Sequence, residues 1–238
     1  MVRAYKAALV VDGVSEQPVE DGVVVVHDEN IASVGRGADL PPEADVVDLG
    51  DVTLLPGLID AHVHLVWNAS AEPHELVARE GRALTALRCS HSAALHLRAG
   101  VTTVRDLGAT DALSVDVARA VGLGVLPGPR VVAAGRVVAM TGGHAWFLGR
   151  EADGPDAVRQ AVRDELKGGA NCIKFMASGG VYGHAEEPAP RSSRSRRCGL
   201  GSRKPTRRAA RLPLTPTRWR RYPTLWMPGW IRSSTAAS

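Results

Sequence analysis

Only two phenylalanines and three tyrosines occur in 238 residues, cysteine occurs three times, and from Arg191 to Ser238 there is no acidic residue at all. Each shortage excludes something. Cys89, Cys172 and Cys198 are too few and too widely spaced for a disulfide framework or a cysteine zinc motif, so they are expected as reduced thiols. The longest apolar stretches, such as Val23 to Val26 and Val131 to Ala134, fall far short of the roughly 20 residues that span a bilayer. Met1 to Ala4 opens no hydrophobic segment of a signal peptide. A cytoplasmic chain with no membrane partner is the expectation.

What is present is 45% hydrophobic and 23% charged residues, ordinary for one large globular domain or two small ones. The net charge of +4 hides a division. Residues 1 to 190 carry 16 basic and 25 acidic residues, whereas Arg191 to Ser238 carries 13 basic residues, three of the five tryptophans and five prolines. Two compositions share one chain.

Short strands with polar turns are expected first, at Ala7 to Val11, Gly22 to His27, Ile31 to Val34 and Val46 to Leu55, the last interrupted at Gly50-Asp51. They predict a small β-sandwich segment over residues 1–56. From Gly57 the rhythm becomes strand, helix, strand, helix. Strands are expected at Leu58 to Val66, Val101 to Leu107, Arg130 to Val138 and Asn171 to Ala177. One long helix is expected over Pro73 to Leu97, a shorter one near Asp111 to Val121, and a third over Gly154 to Lys167, started by Pro155. Crossovers of this length imply parallel strands covered by helices, in a doubly wound sheet or a (β/α)8 barrel. The pattern alone does not choose between them. Four β/α units occupy about 120 residues, where a barrel normally takes about 250.

Two histidines, His62 and His64, stand at i and i+2 of the first of these strands, so both imidazoles are expected on one face. Converging neutral imidazoles can hold a zinc-like ion, and a pair of ordinary hydrogen-bonded histidines has the same spacing. Asp60 shares that face and suits either support of the histidines or packing in the strand layer. In Cys172-Ile173-Lys174-Phe175-Met176, alternation sends Lys174 to the face opposite Ile173 and Phe175. A lysine buried there would have to be paired or chemically altered, while a solvated one would need nothing. His91 and His96, five apart, do not share a helix face and are expected as surface or packing residues.

The whole string Pro56-Gly57-Leu58-Ile59-Asp60-Ala61-His62-Val63-His64 resembles the strand-one signature of the amidohydrolase superfamily. Lys174 falls where one branch of that superfamily carries a strand-four lysine carbamylated by carbon dioxide. The resemblance extends over residues 1 to about 187 and is strongest to the imidazolonepropionase-related and Xaa-Pro dipeptidase-like branch. Cyclic amidases of the dihydroorotase and hydantoinase kind share the pattern. It implies a (β/α)8 barrel whose first half is residues 57–187, His62 and His64 on one metal, and Lys174, as carbamate, bridging two divalent ions, zinc foremost. Such ions sit about 3.5 to 4 Å apart and activate water. The implied activity is hydrolysis of a carbon–nitrogen bond in a small-molecule or dipeptide-like substrate. The family's general acid/base aspartate and two further histidines have no counterpart in the sequence as written, so no catalytic residue is assigned and the chain by itself is expected to be inactive. Met140-Thr141-Gly142-Gly143-His144 resembles the branch's substrate-side loop, which makes His144 a candidate substrate contact alongside its reading as an ordinary loop histidine. Thr102 to Gly108 is also familiar from the branch, with Asp106 expected as a structural hydrogen-bonding residue.

The tail, 188–238, is expected to be irregular. Basic runs with interleaved aromatics have nucleic-acid uses, which makes a non-enzymatic nucleic-acid-associating fragment the alternative. The genetic code offers a sharper reading. Joining each codon's third base to the next codon's first two turns Trp226-Met227-Pro228 into an obligatory Asp-Ala and Trp230-Ile231 into another Asp. The same shift permits Leu-Asp-Ala-Gly-Leu-Asp-Pro-Ile-Glu-His-Gly-Ser near the end and His-Ala-His at Leu214 to Thr217, which resemble the family's strand-six and strand-five signatures. A one-base frameshift near Glu187 to Pro190 is therefore expected, and a nucleic-acid partner is not.

Overall fold

The computed structural model describes residues 1–37, 40–70, 73–177 and 179–180. The tail lies outside the described residues, and the chain divides after Gly57 into two units.

The first unit is a five-stranded sheet. β1 (Val2–Val10) is its centre, antiparallel to β2 (Val19–His27), which pairs in turn with β3 (Asn30–Arg36). On its other side β1 runs parallel first to β4 (Asp45–Asp48) and then to the two-residue β5 (Thr53–Leu54). The expected break at Gly50-Asp51 separates these two, with Gly50 at φ +73°. Ala4, Val23 and Val25 form a small buried cluster with Leu40 and Ala44 against it. Among the described residues this is a single sheet.

The second unit begins with β6 (Leu58–Val63), β7 (Val101–Asp106) and β8 (Arg130–Ala133), three parallel strands in sequence order. Helices α1 (Pro73–Arg79) and α2 (Arg82–Arg98) follow β6, and α3 (Leu113–Gly122) follows β7. A second parallel pair, β9 (Val137–Ala139) and β10 (Gly149–Glu151), precedes α4 (Gly154–Gly168), whose early Pro155 and left-handed Gly169 cap match the expected ends. Val63, Val104 and Val131 from the strands, with Leu65 from the turn after β6, bury against Cys89, Ala93, Leu113 and Val117 from α2 and α3. Full burial of each large apolar side chain contributes about 1.5–3 kcal/mol.

Three expectations are corrected. The single helix over Pro73 to Leu97 is two, because Gly81 adopts extended φ −73°, ψ 151° and starts α2 afresh, while Glu80 just before it pairs with Arg88. The strand over Arg130 to Val138 is cut at Gly135, φ +71°, where the buried Glu165 carboxylate accepts the Arg136 amide at 2.9 Å and its guanidinium. A Cβ on Gly135 would stand 2.5 Å from that carboxylate oxygen. The segment Asn171 to Ala177 forms one bridge, Phe175 to Val138, in place of a full strand, because its backbone bonds are split between Ala133 at the end of β8, which accepts the Asn171 amide at 2.7 Å, and Val138 in the three-residue β9. Among the described residues no helix is long and apolar enough to cross a membrane.

Candidate metal centre

The end of β6, the loop carrying His144 and the Phe175 segment meet at one cleft of about 760 Å³ lined by His62, His64, Trp67, His144 and Lys174, with Phe175 and Met176 beside them. All four residues singled out in the sequence therefore lie together. Lys174 is brought there by backbone pairing: its carbonyl accepts the Val138 amide at 2.8 Å, and the Met176 amide returns to the Val138 carbonyl at 3.0 Å. The His144 ring packs against Gly180, where an added Cβ would stand 2.5 Å from the imidazole Nδ1, so only glycine fits that position unless the ring moves.

The two histidines do not sit on an undisturbed strand. Asp60 pairs with Val104 and Val63 with Asp106, so Ala61 and His62 together oppose Arg105 alone. This is a bulge of one residue, the kind of irregularity that re-aims side chains at sites. Asp60 accepts the His62 amide at 3.0 Å, and Arg105 Nε donates to the Ala61 carbonyl at 2.8 Å. The two ring centroids stand 5.6 Å apart, edge to face.

His64 is half-buried. Its Nδ1–H donates to the Gly108 carbonyl at 2.8 Å, which leaves the Nε2 lone pair as the ring's remaining donor site. Burial pushes its pKa below the ordinary value, and His62 and Lys174 act in the same direction against the Gly108 carbonyl and Asp106. The neutral ring, the metal-binding form, is thereby favoured. Asp106 is fully buried and accepts the Leu65 amide at 2.8 Å and the Gly108 amide at 3.0 Å, as its structural reading required. Burial raises its pKa against those two bonds.

Trp67 was not singled out in the sequence. A turn from the His64 carbonyl to the Trp67 amide, 3.0 Å, folds its indole back to 4.4 Å from the His64 ring. Tryptophan three residues after the histidine pair, in a chain so poor in aromatics, was the available signal. Arg105 carried no signal for this bond, because the Ala61 carbonyl is out of the regular β6–β7 register only once the bulge forms.

The donors fit part of a metal centre. Among the described residues no group of three or more His, Cys, Asp or Glu side chains gathers, and the cleft offers two imidazoles and one amine where a closed zinc site takes four ligands.

Parallel strands alternating with helices, with paired histidines at the end of the first strand, define an α/β unit. The amidohydrolase family model matches residues 53–195, and the chain belongs to that family. The ochratoxinase of Aspergillus niger is 30% identical over 215 residues, covering 76% of this chain and 43% of that protein. An imidazolonepropionase of Micrococcus luteus is 40% identical over 75 residues, 31% of this chain and 19% of that one. A Xaa-Pro dipeptidase structure with methionine bound in its active site superposes with a TM-score of 0.67 at 28% identity, covering 77% of this chain and 48% of that one. The chain thus spans less than half the length of each of these relatives.

Proposed function

We propose that residues 57–187 are the first half of a (β/α)8 metal-dependent hydrolase barrel, that 1–56 belong to an accompanying β-sandwich, and that the complete cytoplasmic enzyme hydrolyses an amide or peptide-like carbon–nitrogen bond. The observation that carries this is the convergence of His62, His64, Lys174 and His144 on one cleft. A small-molecule or dipeptide-like substrate suits its volume, and the named relatives support that class.

In this reading His62 and His64 hold one ion through ring nitrogens. Lys174 would join them as a carbamate, formed when its free-base amine adds to carbon dioxide with one N–C bond made and one proton released, and would supply an anionic oxygen ligand for two divalent ions, zinc by donor type. When bound, the ions polarise the scissile carbonyl and lower the pKa of water toward about 7. Trp67 supplies an apolar wall beside the histidines, and His144 is placed to hydrogen-bond the substrate. A general acid/base is not among these residues, so the 238-residue chain alone is inactive. Residues 188–238 are read as frameshifted, and an unbroken frame in the resequenced DNA around codon 188 would end that part.

The test is zinc binding by the full chain with and without bicarbonate. The wild type should bind more tightly with bicarbonate, H62A and H64A should weaken binding in both conditions, and K174A should abolish the bicarbonate effect. Affinity unchanged in all three variants would sink the assignment.

A further inference from the structure

His64, Gly108, Asp106 and Leu65 form a closed circuit. The His64 ring donates to the Gly108 carbonyl at 2.8 Å, the Gly108 amide donates to Asp106 Oδ1 at 3.0 Å, and Asp106 Oδ2 accepts at 2.8 Å from Leu65, the residue after His64. The histidine is thus held from both sides, through its imidazole and through the peptide that follows it. A carboxylate with no exposed surface is costly unless its oxygens are bonded. Here both are bonded, and to main-chain groups that only a correctly placed β6 end and β7 end can present together.

From this circuit we propose that Asp106 is a positioning residue for His64: it fixes the Gly108 carbonyl, so that His64 keeps its proton on Nδ1 and presents Nε2 to the cleft. The metal-facing consequence rests on the function proposed above, but the tautomer does not. A carboxylate is needed because it is acceptor-only. Asparagine, equal in size, accepts one amide and turns its own NH2 against the other. Gly108 then tilts, and the His64 ring loses its fixed acceptor.

The experiment uses the full, metal-free chain labelled with 15N-histidine, the His64 signals being assigned by their loss in H64Q. Long-range 1H–15N spectra at pH 7.5 should show one Nδ1–H tautomer for wild-type His64. In D106N that signal should move to the Nε2–H form or a mixture, and zinc affinity should fall by about 10–100-fold, the scale of lost outer support for a ligand. E165Q, which removes the charge of another buried carboxylate that also accepts a backbone amide, should leave both readouts unchanged. If D106N does not fold, D106S, whose smaller side chain leaves room for a water, takes its place with the same outcomes. An Nε2–H tautomer in the wild type, an unchanged tautomer in the folded Asp106 variant, or an equal change in E165Q overturns the proposal. Zinc affinity unaltered by H64Q would remove the metal role of His64 and leave the tautomer result to judge Asp106 alone.

Discussion

Arg105 donates its Nε hydrogen to the carbonyl of Ala61 at 2.8 Å, across the bulge that aims His62 into the cleft. The carbonyl belongs to one of the two residues that share a single partner on β7, so its bond comes from a side chain where the ladder is interrupted. Arg105→Met keeps the aliphatic stem and deletes that donor. A bond this accessible to water contributes about 0.5–1.5 kcal/mol, so the melting transition should move little. Zinc affinity should fall several-fold because His62 is less well aimed. A calorimetric titration of the variant with unchanged affinity would show that the bulge holds itself.

Gly108 stands at φ +139°, and a Cβ there would lie 2.4 Å from Val137 Cγ2. Gly108→Ala should therefore destabilise the second unit through both backbone strain, of order 1–3 kcal/mol, and a steric clash. Removing the clashing methyl in the G108A/V137A pair should recover the steric part and leave the strain. Urea midpoints measured on the four-member cycle test this. Strict additivity would mean that the contact with Val137 does not matter.

The parts of this molecule that are local in sequence were legible there. His62, His64 and Lys174 were candidates through the resemblance of the strings around them, since their spacing alone suits ordinary residues equally, and the strand and helix order followed from periodicity. What escaped depends on partners far along the chain. The cut at Gly135 answers to Glu165, 30 residues away, and the bond from Arg105 answers to Ala61. The break at Gly81 was hidden for another reason: apolar spacing continues through it, and the glycine is tolerated in a helical pattern until its ψ of 151° is seen. The segment around Lys174 reads as a strand because its residues suit one, yet ladder bonds require a neighbour, and β9 supplies a short one.

That same break yields a stabilising substitution. Gly81 occupies the N-cap of α2 in an extended conformation, without a side-chain cap, and a Cβ there meets nothing within 4 Å. Gly81→Ser would add a hydroxyl acceptor for the first-turn amides and reduce the freedom of the unfolded chain, for a gain of about 0.5–1 kcal/mol. A higher urea midpoint at constant slope is the expected result, and a lower midpoint would show that Gly81 is needed for another reason.

Arg88 holds the Glu80 carboxyl below its usual range, its Nε donating to Oε2 at 3.0 Å. The sign follows from which state binds protons. The unfolded chain protonates Glu80 near its ordinary value of 4.5, while the folded chain resists until lower pH. The pair therefore stabilises fully above that value, and its contribution disappears as pH falls through the folded-state pKa. Thermal melts from pH 6 to pH 3 should show a shallower acid-side decline in Glu80→Gln than in the wild type. Parallel curves would mean that the pair gives no net stabilisation.

Cys89 has no exposed surface, and burial pushes its thiol up to about 12, whereas half-buried Cys172 is raised by burial with Arg105 opposing. Alkylation needs the thiolate and an approach path, and Cys89 lacks both while α2 stays packed on β7. Of these two thiols, iodoacetamide at pH 8 should modify Cys172 first and leave Cys89 intact until urea unfolds the unit, as followed by peptide mass mapping. Because Cys89 packs in the same cluster as Val104 and Leu113, its protection reports the integrity of the layer that positions Asp106 and Gly108. Rapid labelling of Cys89 in the folded chain would mean that the layer opens readily, and with it the support on which His64 depends.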